Sequence, residues 1–394
     1  MHKIRLYPNQ EQQQKIKQWI GTARWTYNRC VELVRKTPNA SKKVLREHTI
    51  NKGALQHAFA WALDTPYDVR DEAMADVLKA IKTSRALLKA GHIRHFKIGF
   101  RHKKKAQQES ISIRKGHWSH ARGVYAFLRE IRCRDRRSSL PKVLEADSRL
   151  VRTRNNEYYL CTPVDVKVPP VQEQRPCSVV ALDPGIRTFM TGYDPSGAVI
   201  EWGRNDIQRI SRLCNALDLL CAKRDAKGTR GGFRLPHRTR YNMGRATTRI
   251  RMRIRALVDE LHKKLSKWLC TSYSVILLPE FQTKAMIRRG RRGIGSRVAR
   301  NMCTLSHYRF RQRLLDKSEL YPHCRVLIVD EAYTSKTCGK CGHIHASLGA
   351  NKIFRCPTCD FVSDRDANAA RNILLRYLSS KQSPSGPCGL APAH

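Results

Sequence analysis

Two continuous apolar runs in the C-terminal half of the chain predict strands that are buried on both faces. They cover residues 178–182 and 274–278, and each ends beside an acidic residue, Asp183 and Glu280. A strand covered on both faces shows a continuous apolar run, because neither face needs polar side chains. We therefore expect two central strands of one sheet, each with a carboxylate at its end.

Shorter patterns extend this predicted sheet. Residues 188–193 and 198–202 predict two strands, and the Asp-Pro-Ser-Gly turn of residues 194–197 joins them. An antiparallel meander of three strands should therefore open the C-terminal half. Residues 326–329 predict one further strand.

Helical periodicity dominates residues 9–88. Asn9 is a suitable capping residue, and apolar residues recur three or four positions apart from Ile16 to Tyr27. Pro38 and the Thr-Pro pair at Pro66 interrupt the pattern. These helices are expected to form a bundle inserted after a first short strand, residues 4–7.

The C-terminal half contains a second kind of helix. Residues 249–268 carry an apolar stripe that predicts a long amphipathic helix, and residues 367–378 predict a last helix. Residues 222–245, rich in Gly, Arg and Lys, predict a loop or mobile helix ends, and residues 380–394, with three prolines, predict a disordered tail.

Four short alternating runs predict a small β-barrel or sheet of about residues 94–165. They are residues 95–100, 110–113, 124–127 and 158–160, separated by turn-like and basic segments. The Pro-rich residues 168–176 are interpreted as a linker to the next domain.

The charge balance points to a polyanionic partner. The 394 residues contain 76 Lys plus Arg against 32 Asp plus Glu, a formal net charge of +44. Such a surface repels itself unless a long anion neutralises it, and nucleic acid is the first candidate. Charge alone leaves open a ribosomal or chromatin-type binding protein without chemistry.

Hydropathy and cysteine usage indicate the compartment. No window approaches the roughly 18 apolar residues of a membrane span, and the N-terminal residues lack the apolar stretch of a signal peptide. Of 14 cysteines, four form one compact pattern and the rest are scattered singly. A reducing, intracellular environment with metal binding rather than disulfides is expected.

Three carboxylates are candidates for catalysis. Asp183 and Glu280 end the two buried strands, and Asp366 begins the last helix. Three convergent carboxylates can hold two magnesium ions, which promote attack of water on a phosphodiester and stabilise the leaving oxygen. Each acid alone has a plainer interpretation: a turn residue, an exposed charge, or a residue favoured by the helix dipole. Their combination in so basic a chain favours a nuclease.

Four cysteines form two knuckles with fourteen residues between them: Cys338, Cys341, Cys356 and Cys359. This spacing is typical of a four-thiolate zinc site, which is closed and structural. His343 and His345 lie between the knuckles and are not expected to be ligands, since four sulfur atoms complete the tetrahedron.

Basic residues outside these motifs are candidates for nucleic-acid contact. They could instead belong to nuclear localisation signals or to solvated loops. The candidates are Arg101, Lys103, Lys104, Lys105, Arg249, Arg253, Arg288, Arg289, Arg291 and Arg292.

Several motifs together resemble the TnpB proteins and, among them, the Fanzor relatives of eukaryotes and viruses. The motifs are KIRLYP at residues 3–8, TARWTYN at 22–28, TSKTCGKC at 334–341 and DRDANAARNI at 364–373. GTARW at residues 21–25 and QESI at residues 108–111 are closest to Fanzor proteins. The resemblance extends over roughly residues 1–378.

The resemblance implies an activity: RNA-guided DNA cleavage, with a structured guide (omega) RNA, a short target-adjacent motif and a RuvC-like site. It implies that Asp183, Glu280 and Asp366 are the catalytic, magnesium-binding residues and that Asp364 supports them. It also implies one structural zinc ion, a monomer in a ribonucleoprotein bound to target double-stranded DNA, no membrane partner, and nuclear localisation in a eukaryotic host.

The fold class implied is α+β and multidomain. An N-terminal wedge β-barrel (residues 1–8 and 94–172) should contain an inserted helical recognition lobe (9–93). An RNase H-like (RuvC) α/β nuclease domain (173–333 and 363–379) should follow, with an inserted zinc ribbon (334–362).

Three alternatives remain at this stage. A DNA transposase can use the same three acids on the same kind of fold. A guide-loaded DNA-binding repressor would have lost the acids, which are complete here. An RNA-processing nuclease would cut its own RNA in the absence of DNA.

Overall fold

A computed structural model describes residues 1–103, 108–119, 123–124, 140–165, 178–225, 235–288, 293–349 and 351–382. The chain divides into two compact units, Met1–Asp165 and Val166–His394. No helix among the described residues has the length and apolar character needed to cross a membrane.

The first unit combines an antiparallel sheet with a helical insertion. Its elements are β1 (His2–Leu6), α1 (Gln10–Lys36), α2 (Lys42–Thr49), α3 (Lys52–Leu55), α4 (Tyr67–Lys89), β2 (Gln108–Ile113), β3 (Trp118–Ser119), β4 (Gly123–Val124), β5 (Ser148–Thr153) and β6 (Tyr158–Thr162).

Helix α1 forms where the capping pattern predicted it. The Asn9 side chain accepts the backbone N–H of Gln12, and the Gln12 side chain accepts that of Asn9, a complete capping box. Pro66 is the N-cap of α4, as its fixed φ and missing N–H favour. Trp19 of α1 and Met74 of α4 are fully buried in the core that these helices share with the sheet.

The sheet of the first unit has the order β1-β6-β5-β2, and each neighbouring pair is antiparallel. Strands β1 and β2 are its two edges, so the described strands form an open sheet, one of the two arrangements that the alternating runs predicted; the wedge β-barrel stays a prediction. Strands β3 and β4 pair separately. Of the expected run at residues 124–127, Val124 belongs to β4, and residues 125–127 lie outside the described part.

The strand predicted at residues 95–100 is wrong. This segment has no regular structure, because its backbone bonds to side chains of α1 instead of another strand. Arg35 donates to the carbonyl of Ile98 at 2.7 Å. Asn28 accepts the N–H of Arg101 at 2.8 Å and donates to its carbonyl at 3.1 Å.

The second unit begins with a strand meander and continues with long helices. Its elements are β7 (Val179–Pro184), β8 (Met190–Tyr193), β9 (Val199–Trp202), α5 (Asp206–Asp225), α6 (His237–Ser272), β10 (Val275–Pro279), α7 (Thr283–Met286), α8 (Ser296–Leu305), α9 (His307–Ser318), β11 (Arg325–Val329), β12 (Ile353–Arg355), β13 (Val362–Asp364) and α10 (Arg365–Gln382).

A five-stranded sheet with the order β11-β10-β7-β8-β9 forms the centre of this unit. Strands β7, β10 and β11 are parallel, and β7, β8 and β9 form the predicted antiparallel meander. Successive side chains of β7 face opposite sides. Val180 and Leu182 enter the core formed with α5, α6 and α9, whereas Ala181 packs with Ile373 of α10. Helices thus cover both faces, which explains the continuous apolar runs.

Helices occupy more of residues 222–245 than the composition predicted. Helix α5 continues to Asp225 and α6 begins at His237, while residues 226–234 lie outside the described part. Helix ends, one of the two predicted possibilities, therefore lie within this segment, because Arg and Lys side chains can stay solvated on a helix whose opposite face is buried. The linker prediction (residues 168–176) also lies outside the described residues, as does the tail beyond Gln382.

Candidate active site

Asp183 and Glu280 lie at the carboxyl ends of adjacent parallel strands. Ala181 of β7 pairs with Leu277 of β10, so the two strands end at the same edge of the sheet. Asp183 is the penultimate residue of β7 and half-buried, and Glu280 follows β10 directly and is exposed. This edge is where open sheets with parallel strands bind their ligands.

The turn after Asp183 requires glycine. A Cβ atom at Gly185 would lie 2.5 Å from the carbonyl oxygen of Thr188, a distance that real Cβ atoms do not adopt. The N–H of Gly185 donates to the carbonyl of Phe189 at 3.2 Å. The Asp-Pro-Gly sequence therefore ends β7 immediately beyond its carboxylate.

Asp366 reaches the same edge from the first turn of α10. Asp364 accepts the backbone N–H of Asp366 at 2.9 Å and that of Ala367 at 3.3 Å, so it caps the helix. The other carboxylate oxygen of Asp364 lies 3.6 Å from the Lys352 ammonium. Asp364 thus fixes the backbone that carries Asp366.

The pKa values report how these acids interact. Burial raises the pKa of Asp183 well above its usual value, and the charges of Asp366 and Glu331 raise it further. Burial and the neighbouring Asp364 raise the pKa of Asp366, while Arg365 partly opposes them. The site therefore concentrates negative charge that a cation would relieve.

Glu331 is a member of this charge cluster that the sequence analysis missed. It follows β11, the third parallel strand, and is half-buried. Burial, Asp330 and Glu280 raise the pKa of Glu331, and Glu331 in turn raises that of Asp183. Its sequence signal was an acid just beyond a predicted strand, the same signal that identified Glu280.

The acids share an edge without forming a closed ligand set. Among the described residues, only the four cysteines have ligand atoms that all lie within 4.8 Å of one another. Glu280 accepts a hydrogen bond from the side chain of Gln282 at 3.1 Å. Asp330 points elsewhere, to Arg376, at 2.7 Å.

A buried histidine packs between the two acid-bearing loops. The ring of His307, 4% exposed, stacks on Phe189 with centroids 4.8 Å apart and an angle of 10°. Its other neighbour is Phe281, next to Glu280, at 4.8 Å. Burial lowers the pKa of His307 to about 3, helped by the neighbouring His262, so the ring is neutral. No sequence pattern identified this residue as part of the site.

The four cysteines converge as their spacing predicts. The Sγ atoms of Cys338 and Cys359 are 3.7 Å apart, and those of Cys341 and Cys356 are 3.6 Å apart. A tetrahedron with Zn–S bonds of about 2.3 Å has edges of about 3.8 Å, whereas a disulfide bond is about 2.05 Å long. The donor set and spacing therefore fit one zinc ion.

Two asparagines of α10 connect this cluster to the helix of Asp366. Asn368 donates to the carbonyl of Thr337 at 2.7 Å, and Asn372 donates to the same carbonyl at 2.6 Å and to that of Thr334 at 2.8 Å. Both asparagines are buried. The first cysteine loop is thus anchored on the helix that carries a candidate catalytic acid.

The basic candidates differ in their environments. Arg101 bonds to Asp76 at 3.0 Å and lies 3.8 Å from the ring of Tyr27, so its guanidinium has an internal structural role. Lys103, Arg249, Arg253 and Arg288 are exposed. The remaining candidates lie outside the described residues: Lys104, Lys105, Arg289, Arg291 and Arg292.

Two family models match the chain. A model described as "Cas12f1-like, TNB domain" covers residues 307–373, and a helix-turn-helix domain model covers residues 1–43. The first match includes α9, β11, the four cysteines and the start of α10.

Several known proteins are similar over nearly the full chain. A "Putative transposase" of Paramecium bursaria Chlorella virus 1 is 30% identical, over 96% of this chain and 87% of its own. A "TnpB-like protein" of Acanthamoeba polyphaga mimivirus is 28% identical, over 94% of this chain and 72% of its own. A "Putative RNA-guided DNA endonuclease InsQ" of Escherichia coli is 23% identical, over 94% and 90%.

The fold is shared with a solved protein. The Cas12f1 chain in a cryo-EM structure of the Cas12f1-sgRNA-target DNA complex aligns with a TM-score of 0.51 and 15% identity, over 93% of this chain and 83% of that one. At this identity the comparison establishes a common α+β fold.

Proposed function

Since the chain belongs to the TnpB family, we propose that it is an RNA-guided DNA endonuclease whose catalytic residues are Asp183, Glu280 and Asp366. A guide RNA would pair with one strand of the target, and the protein would recognise a short flanking motif and cut the DNA. The relative in Escherichia coli bears the name of this activity, and the solved Cas12f1 complex contains an sgRNA and a target DNA.

The observation that carries the proposal is the concentration of acids at one sheet edge. Burial together with the charges of Asp366 and Glu331 raises the pKa of Asp183, and this edge lies in a chain of net charge +44. A polyanion attracted by the whole surface would meet carboxylates at a single place. That contrast favours metal-dependent phosphodiester chemistry over simple binding.

The donor set fits magnesium, a hard cation that prefers carboxylate oxygen. Asp183, Glu280 and Asp366 would hold two such ions, and Asp364 would keep Asp366 in place through its helix cap. When bound, the ions would activate water and stabilise the leaving oxygen of the phosphodiester. The cluster of Cys338, Cys341, Cys356 and Cys359 would hold one zinc ion with a structural role.

The proposal also assigns roles to the central sheet, to the first unit and to the positive charge of the chain. The central sheet would be an RNase H-like (RuvC) nuclease core, supported by its strand order, and the first unit would contain the wedge and recognition elements. The positive charge would contact guide RNA and target DNA, so affinity should fall steeply with salt. We propose a monomer in a ribonucleoprotein, located inside the cell and in the nucleus of a eukaryotic host.

A DNA transposase is the second candidate, because the viral relative bears that name. It would act without RNA and would join DNA strands as well as cut them. A cleavage-deficient repressor is disfavoured, because all three acids are present. An RNA-processing nuclease would differ from both in cutting its RNA without DNA.

The first experiment expresses the chain together with its flanking genomic DNA and sequences the RNA that co-purifies. One discrete RNA from the border of the gene supports guided cleavage. A random mixture or no RNA contradicts it and favours the transposase. The recovered RNA then provides the guide for a cleavage assay on matched plasmid DNA with Mg²⁺.

The assay compares the wild type with Asp183→Ala. The variant should lose cutting and keep RNA-dependent DNA binding. Glu260→Ala is a suitable control, because Glu260 is exposed on α6 and forms an exposed ion pair with Lys264, at 3.1 Å. Persistent cutting by Asp183→Ala would contradict the assigned site.

A further inference from the structure

His262 is a fully buried residue of α6 whose two ring nitrogen atoms both have hydrogen-bond partners. Nε2 lies 2.9 Å from the backbone carbonyl of Leu305, and Nδ1 lies 3.5 Å from a guanidinium nitrogen of Arg313. A carbonyl only accepts hydrogen bonds and a guanidinium only donates them, so Nε2 carries the hydrogen of the neutral ring. The His262 ring is therefore held in one tautomer and one orientation.

Charged residues next to His262 tie α6 to α9. Arg313 and Arg309 of α9 bond to Asp259 of α6 at 2.9 and 3.1 Å, about one turn before His262. Burial lowers the pKa of His262 to about 4; the Leu305 carbonyl and Asp259 oppose this shift, and the two arginines add to it. The ring is therefore neutral at neutral pH and can keep both hydrogen bonds.

The carbonyl that His262 holds belongs to the corner between α8 and α9. Leu305 ends α8, Ser306 has φ 54° and ψ 55°, and His307 begins α9. A serine in the left-handed region keeps that conformation only when its surroundings hold it in place. The Ser306 hydroxyl donates to the carbonyl of Cys303 at 2.9 Å, and His262 donates to that of Leu305. His262 is therefore one of the groups that fix the start of α9.

The His262 ring also contacts the segment that follows Asp183. It stacks on Phe189, with centroids 5.1 Å apart and an angle of 28° between the rings. The carbonyl of Phe189 accepts the N–H of Gly185, and its own N–H donates to the carbonyl of Trp202 at 2.9 Å. Phe189 thus closes the turn that begins at Asp183, and His262 supports it from α6.

We propose that His262 is a positioning residue that holds the loops of Asp183 and Glu280 in the relative position in which both can bind metal. Through the α8–α9 corner, it places the ring of His307 against Phe281, the residue after Glu280, with centroids 4.8 Å apart. Through Phe189, it supports the turn after Asp183. The inference rests on the proposed nuclease function and adds to it a residue outside the set of acids.

The first test measures whether His262 holds the two loops. His262→Phe keeps a ring against Phe189 and removes the hydrogen bonds to Leu305 and Arg313. Amide hydrogen exchange in the full-length protein without added metal should become about 2- to 10-fold faster at residues 184–189 and 303–309, the effect of losing one hydrogen bond on local opening. Unchanged exchange in both segments would overturn the proposal.

The second test separates metal binding from the chemical step. In a Mg²⁺ titration of guided cleavage, His262→Phe should need about 10- to 100-fold more Mg²⁺ for half-maximal rate, the usual effect of losing a group that orients a metal site. The rate at saturating Mg²⁺ should stay close to that of the wild type, because all three acids are intact. A lower maximal rate with an unchanged Mg²⁺ requirement would contradict a positioning role.

A conservative variant identifies the bond that matters. The side-chain amide of glutamine can donate to the Leu305 carbonyl, so His262→Gln keeps this donor and loses the ring. It should need less Mg²⁺ than His262→Phe for half-maximal cleavage. Equal requirements in the two variants would contradict the role assigned to the corner.

Two further variants protect the test against a loss of folding. Arg313→Gln removes a guanidinium whose side chain is 22% exposed, and Asp259 keeps its pair with Arg309. It should shift the Mg²⁺ requirement in the same direction, and an unchanged requirement would contradict the network even if His262→Phe does not fold. Leu269→Ala, about two turns further along α6, is the control: it should lower the melting temperature and leave the Mg²⁺ requirement unchanged.

The outcomes also separate the two proposals. If guided cleavage requires Asp183 but His262→Phe changes neither the exchange nor the Mg²⁺ requirement, the positioning role fails and the nuclease function stands. If Asp183→Ala still cuts guided DNA, the proposed active site fails, whatever the exchange at the two loops shows.

Discussion

Asn368 accepts the backbone N–H of Gly339 at 3.0 Å, and this bond joins the first cysteine loop to the helix of Asp366. Asn368 is 1% exposed and lies two residues beyond that acid. A Cβ atom at Gly339 would come within 2.9 Å of the Asn368 oxygen, so glycine is needed for the approach. A direct hydrogen bond thus joins the four-cysteine cluster to the helix that carries Asp366.

We expect Asn368→Ala to lower guided cleavage by about 10- to 100-fold, the usual effect of removing a group that orients a metal site. The variant removes the acceptor of the buried Gly339 N–H and one of the two asparagine donors to the Thr337 carbonyl, so the loop and helix loosen. Cleavage rate and zinc content are measured together. Ser379→Ala, on the exposed part of α10, is the control; wild-type cleavage by Asn368→Ala would contradict the coupling.

Cys356→Ser should lower the zinc content and destabilise the ribbon. Burial raises the pKa of the Cys356 thiol, but the N–H groups of Thr358 and Cys359, together with the thiols of Cys341 and Cys359, bring it down to about 6. A lower pKa favours the thiolate, the form that binds metal. Cleavage should fall as well, because Asn368 joins the cysteine loop to the helix of Asp366, and a disordered loop would no longer hold that helix in place. Metal analysis and a melting curve measure the effect. Cys303→Ser, an exposed cysteine outside the cluster, should change neither.

Asp183→Asn should stabilise the protein at neutral pH in buffer without added magnesium, by about 0.5–2 kcal/mol. Burial and Asp366 raise the pKa of Asp183 in the folded state. The folded state therefore binds the proton more tightly than the unfolded state, whose Asp has a pKa of about 3.9. Wild-type stability must fall as pH rises from that value through the folded pKa.

The measurement is the difference in melting temperature between Asp183→Asn and the wild type across pH. The difference should vanish near pH 3, where both states of the wild type are protonated, and grow toward neutrality. Asp330→Asn is the control, because Asp330 is exposed and paired with Arg376. A variant that is less stable than the wild type at neutral pH would argue against charge repulsion at the site.

Glu331→Gln should raise the Mg²⁺ concentration needed for half-maximal cleavage by about 10- to 100-fold. The substitution keeps the size of the side chain and removes a negative charge that acts on Asp183. A magnesium titration of the cleavage rate measures it. If the requirement for Mg²⁺ is unchanged, Glu331 has no part in the charge cluster.

His307→Ala should lower the free energy of unfolding by about 2–5 kcal/mol, because it leaves a cavity between Phe189 and Phe281. Cleavage should fall with it, since both acid-bearing loops lose their support. His307→Phe keeps a ring that can stack and should retain most of both properties. Thermal melting and cleavage are compared for the two variants, and equal losses would show that packing is not the role of the ring.

Much of this architecture follows from local patterns. The apolar runs that end at Asp183 and Glu280, the capping box at Asn9 and the proline boundary at Pro66 each depend on neighbours a few residues away, and the structure contains all of them. The cysteine spacing likewise predicted a compact cluster. Each knuckle places two thiols close together, and only fourteen residues separate the two knuckles.

Non-local contacts decided the rest. Residues 95–100 alternate like a strand, yet the side chain of Arg35 bonds to the carbonyl of Ile98, and that of Asn28 bonds to the backbone of the next residue, Arg101. Glu331 joins the acids because β11 pairs with β10, a choice that depends on the order of strands and not on the residues around Glu331.

The amino-acid sequence alone was enough to predict most strands and helices, the acidic residues at their ends, and a charge balance that favours a polyanionic partner. Only the tertiary structure showed which strand ends meet, how α10 anchors the cysteine loop through Asn368, and that His307 packs between Phe189 and Phe281. Periodicity along the chain sets local conformation and burial. The meeting of distant side chains depends on sheet order and helix packing, whose energies arise only when the whole unit is assembled.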